Sequence, residues 1–552
     1  MIHHYVSNLV IQTWWSYLWL NEGIATFLAM EIVRETVHFH YTDLLTVQLL
    51  YDFFHLNDYY NMSLVSEIIE PSDIISPFPF TYYIKAPIFI YALVHTVTIY
   101  PFLQGLNAYL SMHKLRSIDS SNNTFDMFLN ILQNDEISPE LNINLTEKLS
   151  QWTTQERYTV LQVTRQKGNR TEIKLLQEYL NQSYSKNLWI PVTYTMQNSS
   201  EFEYKKWLSP QEPILHLTDV DSNQWIIVNV DRAGYHRVNY DYDNWQKLIT
   251  CLHSETYYYI SVRNRAQIID DAYYFLLNNK LDFSLFKNLT NYLSNDINYA
   301  VWYPVFKIME EISGVFPFQR SAEIKSHFQK ILDSLLNKLE YSNKEGDNDF
   351  IKCLRQEAAK WACILRSSQC TATARFYLNW LYDQSRPIVP GWMEWIHCKG
   401  MMNADRSLWE KAMDASLTNK KLIKFLVCSE NYVIIMDYID RLKSEIYFTK
   451  AQDRIEVFHS IIARHAKKNV ILDYILKHFT NIIYRDIKIL VALTDIINHL
   501  YSEDQLSKIY KYMQSTLSNK MSQKMSSYVL QKIKVRSLEI ARCTLHFKNL
   551  LR

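Results

Sequence analysis

His3 and Glu22 stand nineteen positions apart at the start of the chain, in the stretch MIHHYVSNLVIQTWWSYLWLNEGIATF. An imidazole followed by a carboxylate is a donor pair that zinc accepts. In His-Glu-x-x-His zinc hydrolases, two imidazoles one helical turn apart face the metal. The glutamate between them takes a proton from the metal-bound water, and a carboxylate from a following helix completes the protein ligands. His3 and Glu22 have the order and spacing of the last two ligands. Met1 and Ile2 would then be the two intervening residues, with the first histidine and the general-base glutamate ahead of them. As an isolated pair, a terminal histidine and a glutamate after a tryptophan are commonplace, so the spacing alone does not make a site. His4 is read as a substitution, because adjacent helical residues point about 100° apart.

These residues need elements to hold them. LNEGIATFLAMEIVRETV, APIFIYALVHTV and TFDMFLNILQ carry apolar residues at helical spacing, so residues 1–155 are expected to be mainly helical. Between 156 and 232 the period shortens. YTVLQVTRQ, NLWIPVTYTMQ, EPILHLTDV and QWIIVNVD read as short strands of a small β-sandwich, with RAGYHRVNYD as a turn into the next unit. From 233 to 552 amphipathic segments such as RNRAQIIDDAYYFLLNNK, LRQEAAKWACILR and RIEVFHSIIARHAKK follow one another across short polar loops, as in a helical solenoid.

Composition narrows the class. With 552 residues the chain exceeds what one core holds, and 48% hydrophobic residues make it globular. A formal net charge of +1 gives no basic excess for nucleic acid. Only eight glycines disfavour Gly-rich nucleotide-binding folds and large all-β architectures; the 39 tyrosines have no physical account. The longest apolar run, PIFIYALVHTVTIYPFL at 87–103, is shorter than the roughly 20 residues of a membrane span and is expected to be a buried core helix. The first residues lack the regions of a secretory leader, and CTLHFKNLLR is no hydrophobic anchor.

Two patterns nevertheless suggest an extracellular setting. Asn61, Asn122, Asn144, Asn169, Asn181, Asn198 and Asn288 begin Asn-x-Ser/Thr sequons, a pattern that an Asn-rich chain also produces by chance. Cys363 and Cys370 flank a short loop, and Cys398 and Cys428 bracket a helical hairpin's worth of chain. Those spacings fit two local disulfides in an oxidising compartment, or four buried thiols.

HHYVSNLVIQTWWSYLWLNEGIATF resembles the region after the zinc helix of the gluzincin aminopeptidases, nearest to the aminopeptidase N group and its insect-type members. That family reads His-Gln-Trp-Phe-Gly-Asn-Leu-Val-Thr, then Trp-Trp-x-Asp-Leu-Trp-Leu-Asn-Glu-Gly-Phe-Ala. His3, Asn8, Leu9, Val10, Trp14, Trp15, Leu18, Trp19, Leu20, Asn21, Glu22, Gly23 and Ala25 keep the pattern. YYIKAPIFIYALVHTV is similar to the family's Tyr-x-Lys segment, which puts Tyr83 at the catalytic tyrosine and Lys85 at the lysine. FLQGLNAYLSMH, SQWTTQ, QWIIVNVDRAGYHRVNYD, RAQIIDDAYYF, YLSNDINYAVWYPVFKIM and both cysteine pairs follow in the family's order.

The resemblance implies a mainly α, multidomain fold. Residues 1–155 would be the C-terminal part of a thermolysin-like zinc peptidase domain, 156–232 a β-sandwich, and 233–552 a large superhelical domain of HEAT or armadillo type. It implies a zinc-dependent aminopeptidase that removes N-terminal residues from peptides at a cell surface or outside the cell. His3 and Glu22 would be zinc ligands, and Tyr83 the phenol that donates to the oxyanion. Peptides would be the partners, with no nucleic acid, no membrane span in this chain, and a homodimer formed through the helical domain.

The departures matter as well. The first zinc histidine, the general base, the N-terminal β-domain and the Gly-x-Met-Glu-Asn segment that captures the substrate's α-amine would all precede residue 1. The chain therefore reads as an N-terminally truncated copy, inactive as it stands. His4-Tyr5-Val6-Ser7 replaces Gln-Trp-Phe-Gly, Ile11 replaces Thr, and Tyr17 replaces the Asp before Leu-Trp-Leu. Losing a carboxylate that orients a ligand imidazole weakens metal affinity or activity by roughly 10–100-fold. The alternative reading is a non-catalytic, aminopeptidase-like binding or receptor protein.

Overall fold

The stretch that carries Glu22 is helical. In the computed structural model, α1 is Ile2–Leu9, α2 Leu18–Thr36 and α3 Phe39–Asn57. The described residues are 2–9, 15–36, 39–60, 62–65, 81–113, 124–138, 143–166, 170–176, 188–199, 203–212, 214–217, 220–221, 223–384, 391–482 and 487–551. A π-helical turn, Thr81–Lys85, runs directly into α4, Ala86–Val97; α5 is Ile99–His113, α6 Thr124–Leu132 and α7 Leu145–Leu149. Trp19 is fully buried, with the Phe89 and Phe125 rings at 5.6 and 5.3 Å in edge-on contact. These edge-to-face contacts add to the burial of large rings, and they lock α2 against α4 and α6.

The apolar run at 87–103 is two helices, not the single core helix expected. Thr98 breaks it at φ 70°, and the segments on either side bend by 115°. Pro101 supplies the reason: in a continuous helix its ring would clash with the Val97 carbonyl, and it has no N–H to give. Among the described residues, no single helix is long and apolar enough to cross a membrane.

The chain is mostly helical with two small sheets, and it divides into two compact units. One is Met1–Tyr292 with Asn298–Lys307; the other is Leu293–Ile297 with Ile308–Arg552. The first unit holds both sheets. β1 is Thr159–Gln166, β2 Arg170–Leu176, β3 Ile190–Met196, β4 Tyr204–Leu208, β5 Ile214–Leu217, β6 Ile226–Val228 and β7 His236–Tyr240. One sheet has the order β5-β2-β1-β7, the other β4-β3-β6. β7 lies parallel to β1, pairing Val160 with Arg237 and Val163 with Tyr240. RAGYHRVNYD is therefore not merely a turn: its second half is a strand buried along its whole length. Asp241 then caps α8, Tyr242–Leu252, and Ser261 caps α9, Val262–Leu277, each accepting from the backbone N–H three residues on.

The second unit is helical. Ala322–Leu339 packs on the next helix, Asp349–Ile364, and later helices also pack next-but-one: Tyr432–Arg441 meets Asn469–Ile482, Ala451–His465 meets Ile489–Asn498, and Ile489–Asn498 meets Gln523–His546. Cys363–Cys370 and Cys398–Cys428 are bonded within it, which decides between the two readings of the cysteine spacing.

Candidate functional site

α1, α2 and the π-helical turn bring three side chains together. His3 Nδ1 lies 2.9 Å from Glu22 Oε2. The Tyr83 hydroxyl is hydrogen-bonded to Glu22, and its ring centroid is 6.2 Å from that of His3. Glu22 sits in the second turn of α2 and is almost fully buried, whereas Tyr83 remains 39% exposed. Burial raises the Tyr83 pKa, and the Glu22 charge and hydrogen bond raise it further. The phenol therefore stays protonated and can donate. His4 is exposed, away from the cluster. Tyr17 is half-buried in the 3-10 turn that enters α2.

Gly23 makes this convergence possible. A Cβ at Gly23 would lie 2.9 Å from the Ala86 Cβ and 3.0 Å from the Ala86 backbone carbon. Only a bare Cα lets α2 approach the start of α4 this closely. Since Glu22 precedes Gly23 and Tyr83 lies three residues before Ala86, that crossing sets their separation. π-Helical turns are rare and concentrate at functional sites. This one turns Tyr83 outward and Lys85 inward. The Lys85 ammonium is buried and donates to the carbonyls of Met62, at 2.7 Å, and Gln155. Burial lowers its pKa to about 7. Lys85 therefore anchors the turn and does not face the cluster.

A second polar cluster, which sequence reasoning did not single out, holds the supporting elements. The Arg232 guanidinium donates to Asp270 at 3.1 Å, and Arg237 Nη1 lies 3.0 Å from Asp271 and 3.4 Å from Asp270. His55 on α3 reaches Asp270 at 3.1 Å. Both arginines and both aspartates are buried. Burial alone would raise Asp270, but Arg237, His55 and Arg232 outweigh it and hold that carboxyl low. Arg237 also stacks over Phe54 and Tyr274, at 4.5 and 4.6 Å. The network ties β7 and α9 to α3, which packs on α2. The only available signal was the position of the charges, inside VDRAGYHRVNY and RAQIIDDAYY.

One imidazole and one carboxylate suit zinc, but a protein site needs three or four ligands. Among the described residues, no group of three or more His, Cys, Asp or Glu side chains is placed to hold a metal. The pair thus fits as part of a site and is incomplete as a whole one. Of the sequon asparagines, Asn144, Asn198 and Asn288 are exposed; Asn61, Asn122, Asn169 and Asn181 lie outside the described residues.

Residues 1–163, which contain His3, Glu22 and Tyr83, match the peptidase family M1 domain, and residues 225–534 match the ERAP1-like C-terminal domain. The chain belongs to peptidase family M1. It is 25% identical over 525 residues to aminopeptidase N of Plutella xylostella, covering 90% of this chain and 54% of that protein. It is 23% identical over 559 residues to the thyrotropin-releasing hormone-degrading ectoenzyme of Rattus norvegicus, covering 93% and 51%. Against aminopeptidase N of Homo sapiens it is 25% identical over 514 residues, covering 86% and 51%. The chain thus spans about half the length of these M1 relatives.

Proposed function

We propose that this M1 chain contributes part of the active site of a zinc-dependent aminopeptidase, which removes N-terminal residues from peptides. The observation that carries the proposal is the meeting of His3, Glu22 and Tyr83. Three residues from separate elements, eighty positions apart at the extremes, converge where the family motif places two metal ligands and a phenol donor. His3 and Glu22 would hold zinc together with a further imidazole that the described residues do not supply. Bound zinc would polarise the scissile carbonyl. Tyr83, kept protonated, donates to the oxygen on which negative charge develops, an interaction commonly worth about 3–4 kcal/mol. Gly23 and Lys85 position these groups.

The finer fold reading goes with this function: residues 1–155 as part of a thermolysin-like domain, 156–232 as a β-sandwich, and 233–552 as a superhelix of HEAT or armadillo type. Two bonded cysteine pairs and a relative named as an ectoenzyme support an extracellular or cell-surface setting. A non-catalytic peptide-binding protein is the second reading. It is favoured by Tyr17, an aromatic residue where the family motif has an aspartate.

The test is peptidase assay of two proteins, residues 1–552 and a form extended upstream through the family's His-Glu pair. The extended form should bind one zinc and hydrolyse aminoacyl-nitroanilides. In it Tyr83→Phe should lower kcat about 100-fold or more with little change in KM. Residues 1–552 alone should show no turnover. Full activity of Tyr83→Phe, or zinc-dependent turnover by residues 1–552, would sink the proposal. A folded extended form that binds peptides without cleaving them would establish the second reading.

A further inference from the structure

Five cationic side chains in the second unit gather around the Cys398–Cys428 disulfide. Lys399 ends the π-helical turn Trp395–Lys399, next to Cys398. Arg464 closes the helix Ala451–His465, and its Nη1 lies 3.6 Å from the Cys398 sulfur. Lys467 and Lys468 follow that helix. Arg366 comes from the turn after Asp349–Ile364, with its Nη2 3.7 Å from Glu430 Oε2. Each charge bears on its neighbours: Lys399, Lys467 and Lys468 all feel Arg464, and Lys467 and Lys468 also feel Arg366. Glu430 and, for Lys399, Glu394 are the carboxylates that counter them.

What sets this cluster apart is its lack of acceptors. Among the described residues, none of the five cationic heads donates a hydrogen bond to an oxygen; the nearest is the 3.7 Å approach of Arg366 to Glu430. Elsewhere in the same unit cations are paired closely, as where Arg441 takes both oxygens of Glu410 at 2.6 and 2.7 Å. Cations at a helix C-terminus complement its dipole, which accounts for part of Arg464, Lys467 and Lys468. It accounts in the same way for part of Arg366, just past the C-terminus of Asp349–Ile364, but not for Lys399, whose turn runs on into Gly400–Met402. Lys399 and Arg464 are also half-buried, and withdrawing charge from water with no close carboxylate is costly. A chain of net charge +1 has gathered five cations at one place, with only Glu430 and Glu394 to counter them.

We propose that Arg366, Lys399, Arg464, Lys467 and Lys468 form a binding site for a multivalent anion, one that presents clustered phosphate or carboxylate oxygens to guanidinium and ammonium donors. Arginine suits such oxygens by its planar fork and lysine as a point charge. The cysteine bridge beside them fixes the turn that carries Lys399 to the segment that leads to Glu430.

Titration calorimetry on residues 1–552 at low salt tests this with two probes, tripolyphosphate and a tetraglutamate peptide. Binding at one site, weakening steeply as salt is added, is expected. Arg366→Glu, at an exposed position, should weaken it about tenfold or more, and so should Lys399→Gln with Arg464→Gln. A control, Lys344→Gln with Lys352→Gln, removes lysines already paired with Glu340 and Asp349 and should change nothing. Tripolyphosphate binding alone assigns phosphate oxygens, and binding of both probes assigns any clustered anion. Binding of neither, or equal weakening by the control, would overturn the proposal. Arg366→Glu serves as the deciding variant if the half-buried pair fails to fold.

Discussion

Gly23 carries a structural burden out of proportion to its size. The family pattern marks it beside Glu22, but the reason it must be glycine is visible only when Ala86 is placed against it. That reason was not legible in the sequence, because it belongs to a pair of residues 63 positions apart and not to either alone. Glu22 and Tyr83 were legible as positions, through Leu-Asn-Glu-Gly and Tyr-x-Lys. Their hydrogen bond was not. Gly23→Ala makes the difference measurable. The added methyl must push α2 from α4 or distort one of them, an overpacking that costs about 1–3 kcal/mol. Urea unfolding of the variant should show that loss in the first unit, and in the extended enzyme kcat should fall as Tyr83 is displaced. A variant as stable and as active as the parent would mean that the close approach does not exist.

At the scale of elements, period reads well where one face is apolar. Ala86–Val97, Val262–Leu277 and Ala451–His465 lie where apolar spacing put helices. β7 shows why pattern fails elsewhere. His236, Arg237 and Asn239 are buried in it, so no alternation of polar and apolar residues announces the strand. Part of its polarity is met from another element, Asp271 accepting from both the Val238 N–H and Arg237 Nη1. Thr98 is a second case, since hydropathy runs unbroken through a point where Pro101 forbids a continuous helix. The cysteine pairs fall between these cases, since their spacing allowed bridges without requiring them. With both bridges formed, their contributions should differ with loop length. Sequence separations of 30 and 7 correspond to about 3–4 and about 2–3 kcal/mol in the loop-entropy account. Replacing Cys398 and Cys428 with alanine should therefore lower Tm more than replacing Cys363 and Cys370. Equal losses, or no loss on reduction of the parent, would show that the bridges do not restrain the unfolded chain in this way.

Across the whole molecule, buried imidazoles set how the fold meets acid. His236 in the first unit, and His397 and His465 in the second, are all buried. Burial lowers their pKa values to about 3, about 4 and about 4. An unfolded histidine titrates near about 6.5. Between these values the unfolded chain binds protons that the folded chain refuses, so stability rises with pH and is lost as pH falls from about 6.5 towards 4. Each imidazole contributes up to about 1.4 kcal/mol per pH unit within that window. Asp270, held low by its arginines, keeps its charge and its contribution to a lower pH than an ordinary aspartate. Between about pH 6.5 and 4 the histidines supply the loss, and Asp271, which burial raises to about 6, offsets part of it. His465 offers the cleanest check, because its Nε2 lies 2.7 Å from the Val427 carbonyl and a glutamine amide can donate there without titrating. His465→Gln should leave stability at pH 7 within about 1 kcal/mol of the parent. Over the acid window it should remove one proton's worth of slope from the dependence of unfolding free energy on pH. An unchanged slope would mean that His465 is protonated in the folded protein, and that acid sensitivity lies with the carboxylates instead.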